Sequence, residues 1–557
     1  MSNLPCGMLL LEKMGWLPRP YSTMRNASFK WLVFVLTFLT YTSYHASRKP
    51  ISVVKNVLNM NCTAKDPAYY INTTAHPHWC DWKPFDGEDS NTLLGFLDSS
   101  YLFSYAFFMF FSGLLAERMD LRYFLSLGML MSAVFVWLFG AAYYWNVHSL
   151  AFFIIIQVAC GIFEASGWPG VVTVMGNWNG KSKRGLIFGI WNSHTSVGNI
   201  LGSLMASAFV DYNWGLSFIV PSAFIAGCGV LNFLFLTPYP TEAGCDPPPA
   251  PEPSLLEESV TSAPGSPRAA HVAVHAGPTG YGSFGPGRGA ACQPHSASEG
   301  ERRPLLSQPA DSSDDQSELD PSPKAELTVN GDVVAPRQED KAISFFQAIL
   351  IPGVLPFSIC LFFAKLVSYT FLYWLPRYLH TAADYSPSES ANLSTLFDVG
   401  GIVGGILAGF FNDWTGAPGI VCVILLLIAI PVMFVYQAVA TVSHGLNTFM
   451  LLVVGLLVNG PYALITTAVS ADLGTSLQGN SKALATVTAI IDGTGSVGAG
   501  LGPLLAGAVS SGDNWTGVFV ILMCADAVAI LSLGWVLKHE VLAILDRRRQ
   551  RRDALPA

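Results

Sequence analysis

Thr195-Ser196-Val197-Gly198-Asn199-Ile200-Leu201-Gly202 aligns without a gap on Gly495-Ser496-Val497-Gly498-Ala499-Gly500-Leu501-Gly502, 300 residues further along the chain. A second echo lies at nearly the same offset. Gly113-Leu114-Leu115-Ala116-Glu117-Arg118-Met119-Asp120 matches Gly409-Phe410-Phe411-Asn412-Asp413-Trp414-Thr415-Gly416, with glycine first and a carboxylate four residues on. A chain that repeats itself once in this way, in apolar surroundings, has two similar halves. In membranes such halves typically enclose a carrier's substrate site at their interface.

Composition agrees. Of 557 residues, 51% are hydrophobic and 12% charged, where soluble domains carry about 25% charged residues. The 51 glycines suit helices that approach closely in lipid. The class is an all-α polytopic membrane protein. No basic patch interleaved with aromatics points to nucleic acid. No HExxH, P-loop or supported GxSxG elbow points to an enzyme or an ATP-driven pump. Nothing calls for a cofactor, and no cysteine spacing suits a metal. Residues 1–28 contain no cleavable signal, so the first apolar run, from Trp31, reads as a signal-anchor.

A spanning helix needs about 20 mainly apolar residues. Twelve candidates occur, at 29–49, 92–115, 123–144, 149–175, 184–210, 216–236, 347–373, 390–412, 418–440, 446–471, 481–508 and 516–537. The expected plan is a cytosolic segment (1–28) and an N-terminal six-helix bundle (29–236) with a lumenal loop over about 50–91. A disordered cytosolic linker (237–342), a C-terminal six-helix bundle (343–538) and a basic tail (539–557) follow. The linker is rich in Pro, Gly, Ser and acids and too poor in large apolar residues to order itself. Lys and Arg in the short loops favour one side, which places both termini in the cytosol. The loop on the other side carries two sequons, at Asn61 and Asn72, and two cysteines, Cys62 and Cys80. In an oxidising lumen these cysteines either form a disulfide or remain free thiols.

The chemistry-bearing residues are few. Tyr44-His45-Ala46-Ser47-Arg48-Lys49 sets two adjacent cations in the far half of the first apolar segment, and Lys365 with Tyr369 lies in the seventh. One reading has Arg48 and Lys49 snorkelling to the interface. The other has them in a cavity, because an intramembrane cation costs about 2.5–3.5 kcal/mol and normally faces something anionic. Arginine's fork matches phosphate. Lys365 either joins Arg48 across the centre or pairs with a carboxylate such as Asp398. His194 reads either as a hydrogen-bonded structural residue or as a proton carrier, and Glu164 and Asp492 read as cavity residues or as partners for a cation. Gly113, Glu117, Arg118, Arg122 and Asp413 form the duplicated loops and read either as turn residues or as gating charges.

Together, Arg48-Lys49-Pro50-Ile51-Ser52, Phe362-Phe363-Ala364-Lys365-Leu366-Val367-Ser368-Tyr369-Thr370, Asn459-Gly460-Pro461-Tyr462-Ala463-Leu464-Ile465-Thr466-Thr467 and Asp492-Gly493-Thr494-Gly495-Ser496 resemble the vertebrate sugar-phosphate exchanger family, solute carrier family 37. That family sits in the organophosphate:phosphate antiporter branch of the major facilitator superfamily. The resemblance implies a major facilitator fold and exchange of glucose 6-phosphate for inorganic phosphate in the endoplasmic reticulum membrane. It puts Arg48 and Lys49 on the helix 1 cations of the bacterial relatives. It departs elsewhere: Lys365 lies about one turn further back than their helix 7 arginine, Thr195 fills the slot of their helix 5 histidine beside His194, and Met109 replaces a lysine.

The substrate site expected from this reading comprises Arg48, Lys49, Lys365, Tyr44, His194 and Tyr369. Exchange also has a physical rationale: without an anion, Arg48, Lys49 and Lys365 would leave unpaired positive charge in a closing cavity, so the empty carrier would reorient reluctantly. The alternatives are a proton-coupled symporter of another organic anion, using Glu164, Asp398 or His194, and a transport-inactive receptor or scaffold acting through the linker.

Overall fold

A computed structural model of the chain describes residues 4–60, 62, 80–87, 89–116, 118–179, 184–247, 344–383, 385–440, 442–474, 482–510 and 515–553. The chain divides into two units, residues 1–251 with 340–557, and residues 252–339. Every helix and cavity described below belongs to the first.

Among the described residues all regular structure is helical. The first half contains α1 (Cys6–Lys13), α2 (Thr23–Arg48), α3 (Pro50–Leu58), α4 (Ser90–Ala116), α5 (Leu121–Tyr144), α6 (Leu150–Glu164), α7 (Gly167–Trp178), α8 (Arg184–Val210) and α9 (Leu216–Phe235). The second contains α10 (Phe345–Ile349), α11 (Val354–Ala383), α12 (Pro387–Thr415), α13 (Pro418–Val439), α14 (His444–Leu464), α15 (Ser470–Gly474), α16 (Lys482–Val509), α17 (Trp515–Ser532) and α18 (Gly534–Asp553). Local signals set several ends. Ser22 caps α2 by accepting from Arg25 N, Ser386 and Glu389 form a capping box on α12, and Gly416 closes α12 at φ 63°.

Nine helical stretches among the described residues are long and apolar enough to cross a membrane. Helices α2, α8 and α16, with 26, 27 and 28 residues, are as long but fall outside that set. They carry buried polar side chains, Ser47 and Arg48 on α2, Asn192 and Asn199 on α8, Asp492 and Ser496 on α16. Polarity lowers their hydropathy because they face the centre of the molecule rather than lipid.

The repeated glycines do the same job twice. Gly198 and Gly202 on α8 lie against the backbone carbonyls of Thr42 and Ala46 on α2, and Gly498 and Gly502 on α16 lie against those of Phe362 and Leu366 on α11. A Cβ at Gly202 would stand 2.6 Å from Ala46 O, and one at Gly502 would stand 2.5 Å from Leu366 O. The halves also meet through glycine. A Cβ at Gly189 would lie 3.0 Å from Gly405 O and one at Gly95 2.9 Å from Pro503 O, while Ser99 Oγ donates to Gly500 O at 2.8 Å. Small residues thus bring backbones together both within and between halves.

Several boundaries differ from the sequence reading. Helical structure does not stop at residue 49. Pro50 occupies the first position of α3, where its missing N–H is no loss, and the helix runs on to Leu58. Residues 50–58 are therefore helix rather than loop, and Lys55 is fully buried. The fourth expected segment splits between α6 and α7, with Pro169 in the first turn of α7. After Pro461, α14 opens into a π-turn over Ile465–Val469.

The expected linker begins folded: Trp178 Nε1 donates to Thr237 O at 3.0 Å and Arg25 Nε to Ala243 O at 2.6 Å. Its remainder, 248–342, lies outside the described residues. The N-terminal segment is also anchored, with Arg25 paired to Glu12 at 3.2 Å and Gly7 seated on Leu234 and Phe235 of α9. Cys62 and Cys80 are joined in a disulfide, with Cα atoms 5.6 Å apart. Asn61 and Asn72 lie outside the described residues.

Candidate functional site

Arg48, at the last turn of α2, is buried between the two halves. Its Nη2 lies 3.0 Å from Glu164 Oε2 on α6, its Nη1 donates to Tyr369 OH on α11 at 3.4 Å, and its guanidinium stands 5.2 Å from the Tyr105 ring centre. Glu164 also accepts from Tyr101 OH and from Ser47 Oγ. Lys365, one turn before Tyr369, pairs with Asp492 on α16 at 2.6 Å and donates to Ser496 Oγ at 3.2 Å. Its ammonium lies 5.7 Å from the Tyr369 ring centre and 5.5 Å from that of Tyr462. Tyr369 is thus the shared wall between a cation of each half.

The alternative pairing of Lys365 with Asp398 is not what forms, because α16 presents Asp492 and Ser496 on its inner face one turn apart. The expectation of unpaired cations is also corrected. Arg48 has Glu164 and Lys365 has Asp492 as counter-charges. A third buried pair, Lys55 with Asp98 of α4, lies outside the expected site because the sequence reading ends the helix at Lys49. The signal was present: Asp98 interrupts an apolar segment, where a carboxylate needs a partner.

Lys49 points elsewhere. Its ammonium donates to Leu372 O at 2.8 Å, and Lys55 Nζ donates to Tyr373 O at 3.3 Å. Pro376 lies inside α11; it has no N–H, so the carbonyl four residues earlier, Leu372 O, lacks its usual helical donor. The Lys49 ammonium from the opposite half supplies one. Arg377 adds bonds to Asn59 O at 2.8 Å, Asn59 Oδ1 at 2.6 Å and Asn91 Oδ1 at 3.1 Å. The end of the molecule toward which α3 leads is therefore latched across the halves by three cations.

Two central cavities adjoin this arrangement. One reaches Arg48, Glu164, Tyr101 and Tyr373. The other is bounded by Asn192, Thr195, Tyr369, Asp398, Asn459 and Tyr462, among others. Tyr44 and His194 line neither cavity. Tyr44 OH bonds Ser166 Oγ at 3.1 Å, and His194 sits among aromatic rings, 4.5 Å from Trp191 and 4.9 Å from Tyr41. Thr195, in the slot that the resemblance gives to histidine, faces the cavity instead. The duplicated loops lie away from the centre. Gly113 is buried near the end of α4, Arg122 pairs with Asp120 at 3.7 Å, and Arg118 and Asp413 are exposed. Glu117 lies outside the described residues.

The sequence model of the Major Facilitator Superfamily matches residues 82–487. Over 539 residues the chain is 47% identical to the mouse (Mus musculus) protein named glucose-6-phosphate exchanger SLC37A2, covering 95% of each chain. It is 46% identical over 533 residues to the Xenopus tropicalis protein of the same name, covering 95% of this chain and 96% of the relative. To human (Homo sapiens) glucose-6-phosphate exchanger SLC37A1 it is 43% identical over 560 residues, covering 96% of each. Among solved structures, a bacterial homologue of the human lysosomal transporter Spinster, inward-facing and unoccupied, aligns at a TM-score of 0.51 and 15% identity, over 95% of this chain and 99% of that one. That likeness speaks for the fold alone. With two halves packed through repeated glycines around a shared cationic centre, the chain is a multi-pass transporter rather than an enzyme, and it belongs to the Major Facilitator Superfamily and, within it, to the sugar-phosphate exchanger family, solute carrier family 37.

Proposed function

We propose that the chain exchanges a sugar phosphate, glucose 6-phosphate first, for inorganic phosphate by alternating access. The observation that carries this reading is the meeting of Arg48 from one half and Lys365 from the other on the Tyr369 side chain. The curated relatives, named glucose-6-phosphate exchangers, support the substrate.

The ion pairs at the centre suggest how exchange is enforced. Arg48–Glu164 joins α2 to α6, and Lys365–Asp492 joins α11 to α16. Each pair stays within one half and does nothing to draw the halves together. A phosphate shared by Arg48 and Lys365 bridges them. Its dispersed charge and several acceptor oxygens suit both a guanidinium fork and an ammonium. Closure around the centre then depends on a bound anion, so passage in one direction requires an anion to return. Lys49 serves the latch between halves rather than the phosphate.

The same reading places the carrier in the endoplasmic reticulum membrane, with both termini and the basic tail cytosolic and Asn61 and Asn72 glycosylated on the other side. The Cys62–Cys80 disulfide suits an oxidising compartment on that side. The loops around Gly113, Glu117, Arg118, Arg122 and Asp413 act as gates on the cytosolic face.

The test is reconstitution of the purified protein in liposomes with and without internal phosphate. Labelled glucose 6-phosphate should enter only the phosphate-loaded vesicles, and Arg48→Ala should abolish that entry while leaving expression intact. Equal uptake in both vesicles would replace exchange by uniport or symport; retained exchange in Arg48→Ala would remove Arg48 from the site.

A further inference from the structure

The cavity that reaches Thr195 and Asn192 is lined by three buried residues that each carry one side-chain atom with no hydrogen-bond partner: Asp398 (Oδ2), Asn459 (Nδ2) and His45 (Nε2). They come from α12, α14 and α2, so both halves contribute. Their residues are 2%, 8% and 0% exposed. A buried polar group without a partner is costly, and a carboxylate oxygen most of all.

The other atoms of these side chains are firmly held. Asp398 Oδ1 accepts from Asn199 Nδ2 at 2.8 Å, and Asn199 Oδ1 in turn meets His45 Nδ1 at 3.0 Å. Asn459 Oδ1 accepts from Ser368 Oγ at 2.7 Å. Each residue is thus fixed through one atom and leaves the other without a partner beside the cavity. Gly401 keeps that space open: a Cβ there would stand 2.7 Å from Asn459 Nδ2 and 3.1 Å from Ser196 Oγ. Asp398 makes no ion pair within 4.0 Å among the described residues, unlike Glu164, Asp98 and Asp492.

The chemical character is that of a hydroxyl site. As a carboxylate Asp398 only accepts, Asn459 Nδ2 only donates, and His45 Nε2 accepts, because its Nδ1 donates to Asn199 Oδ1. Sugar hydroxyls both donate and accept. The cavity shares Tyr369 and Tyr462 with Lys365, and Tyr369 with Arg48. A molecule with its anionic end between the cations therefore has its uncharged body against Asp398 and Asn459.

Resting on the exchange reading above, we infer that Asp398, positioned by Asn199 and joined by Asn459, is the specificity residue that binds the hydroxyls of the sugar while Arg48 and Lys365 hold its phosphate. A site built to pair a substrate's hydroxyl discriminates strongly against an analogue that lacks it, because its own buried groups are then left unpaired. Inorganic phosphate, which has no sugar body, does not use this subsite.

The test uses the full-length protein in phosphate-loaded liposomes. Apparent KM is measured for inorganic phosphate, for glucose 6-phosphate and for its 2-, 3- and 4-deoxy analogues. Asp398→Asn should raise the ratio of KM for glucose 6-phosphate to KM for phosphate by about tenfold or more. At least one deoxy analogue that the wild type rejects should become equivalent to glucose 6-phosphate. Asn459→Ala should move the same ratio in the same direction, and it carries the test alone where Asp398→Asn does not fold. Parallel changes for phosphate and glucose 6-phosphate would overturn the assignment in favour of a structural role. Loss of a pH dependence in Asp398→Asn with the ratio unchanged would overturn it in favour of proton coupling. A wild type that exchanges phosphate for phosphate but not for glucose 6-phosphate would sink the sugar-phosphate reading itself, and the subsite with it.

Discussion

At the scale of single residues, three buried cations are resolved in pairs. Arg48, Lys55 and Lys365 each face a carboxylate, Glu164, Asp98 and Asp492. Bare cations in a low-dielectric interior would be prohibitive, whereas a paired cation remains available to a ligand that competes for it. Glu164 is then an internal competitor of phosphate at Arg48. Glu164→Gln removes one like charge from the binding site while keeping an oxygen to accept from Tyr101. Two unit charges about 4 Å apart differ by at least ~1 kcal/mol even in water. Apparent KM for phosphate should accordingly fall about fivefold, read by exchange in liposomes; an unchanged or higher KM would mean that Glu164 only positions the arginine. Arg48, Lys365 and Tyr369 were legible from the chain as costly or polar residues in apolar segments. The partners were not, since pairing depends on which inner faces meet: Lys365 has Asp492 rather than Asp398, and Tyr44 and His194 are spent on Ser166 and on aromatic neighbours.

At the scale of elements, glycine spacing sets how closely helices approach. The two repeated glycine pairs lie one turn apart and place α8 on α2 and α16 on α11. Gly202→Ala and Gly502→Ala force a Cβ to within 2.6 and 2.5 Å of a facing backbone carbonyl. Each should therefore destabilise by about 1–3 kcal/mol through overpacking, seen as a lower unfolding midpoint in detergent. Gly227→Ala on α9, where nothing lies within 4 Å, is the control and should not lower it. An equal effect at all three would remove the packing explanation. Proline works in the opposite sense. Pro50 begins a helix instead of ending one, and Pro376 frees a carbonyl that Lys49 then occupies. Spacing alone does not tell a proline at a helix start from one at a stop, which is why Lys55 falls in the expected loop.

At the scale of the whole molecule, the latch at the α3 end is a sum of cross-half bonds to one segment of α11. Lys49, Lys55 and Arg377 all act within residues 372–377 and their facing partners. Opening on that side must break them together, so removing one shifts the balance between closed and open states. Arg377→Ala should increase modification of a cysteine substituted at Tyr373 by a membrane-impermeant maleimide applied from the α3 side, relative to the same cysteine in the wild-type background. Labelling that stays the same would mean that closure is held by helix packing alone.

The chain by itself determined the class, the two-half plan and the cations of the centre. Low charge, long apolar runs and an in-register repeat are properties of sequence periodicity, and periodicity survives without coordinates. Tertiary structure alone decided which residues do what around that centre. It gave Lys49 a proline-freed carbonyl, turned His194 away in favour of Thr195, and left one oxygen of Asp398 unspent inside a cavity. The physical reason is that a helix presents a new residue every 100° or so. Which of them meets a partner is fixed only when another helix, hundreds of residues distant, is packed against it.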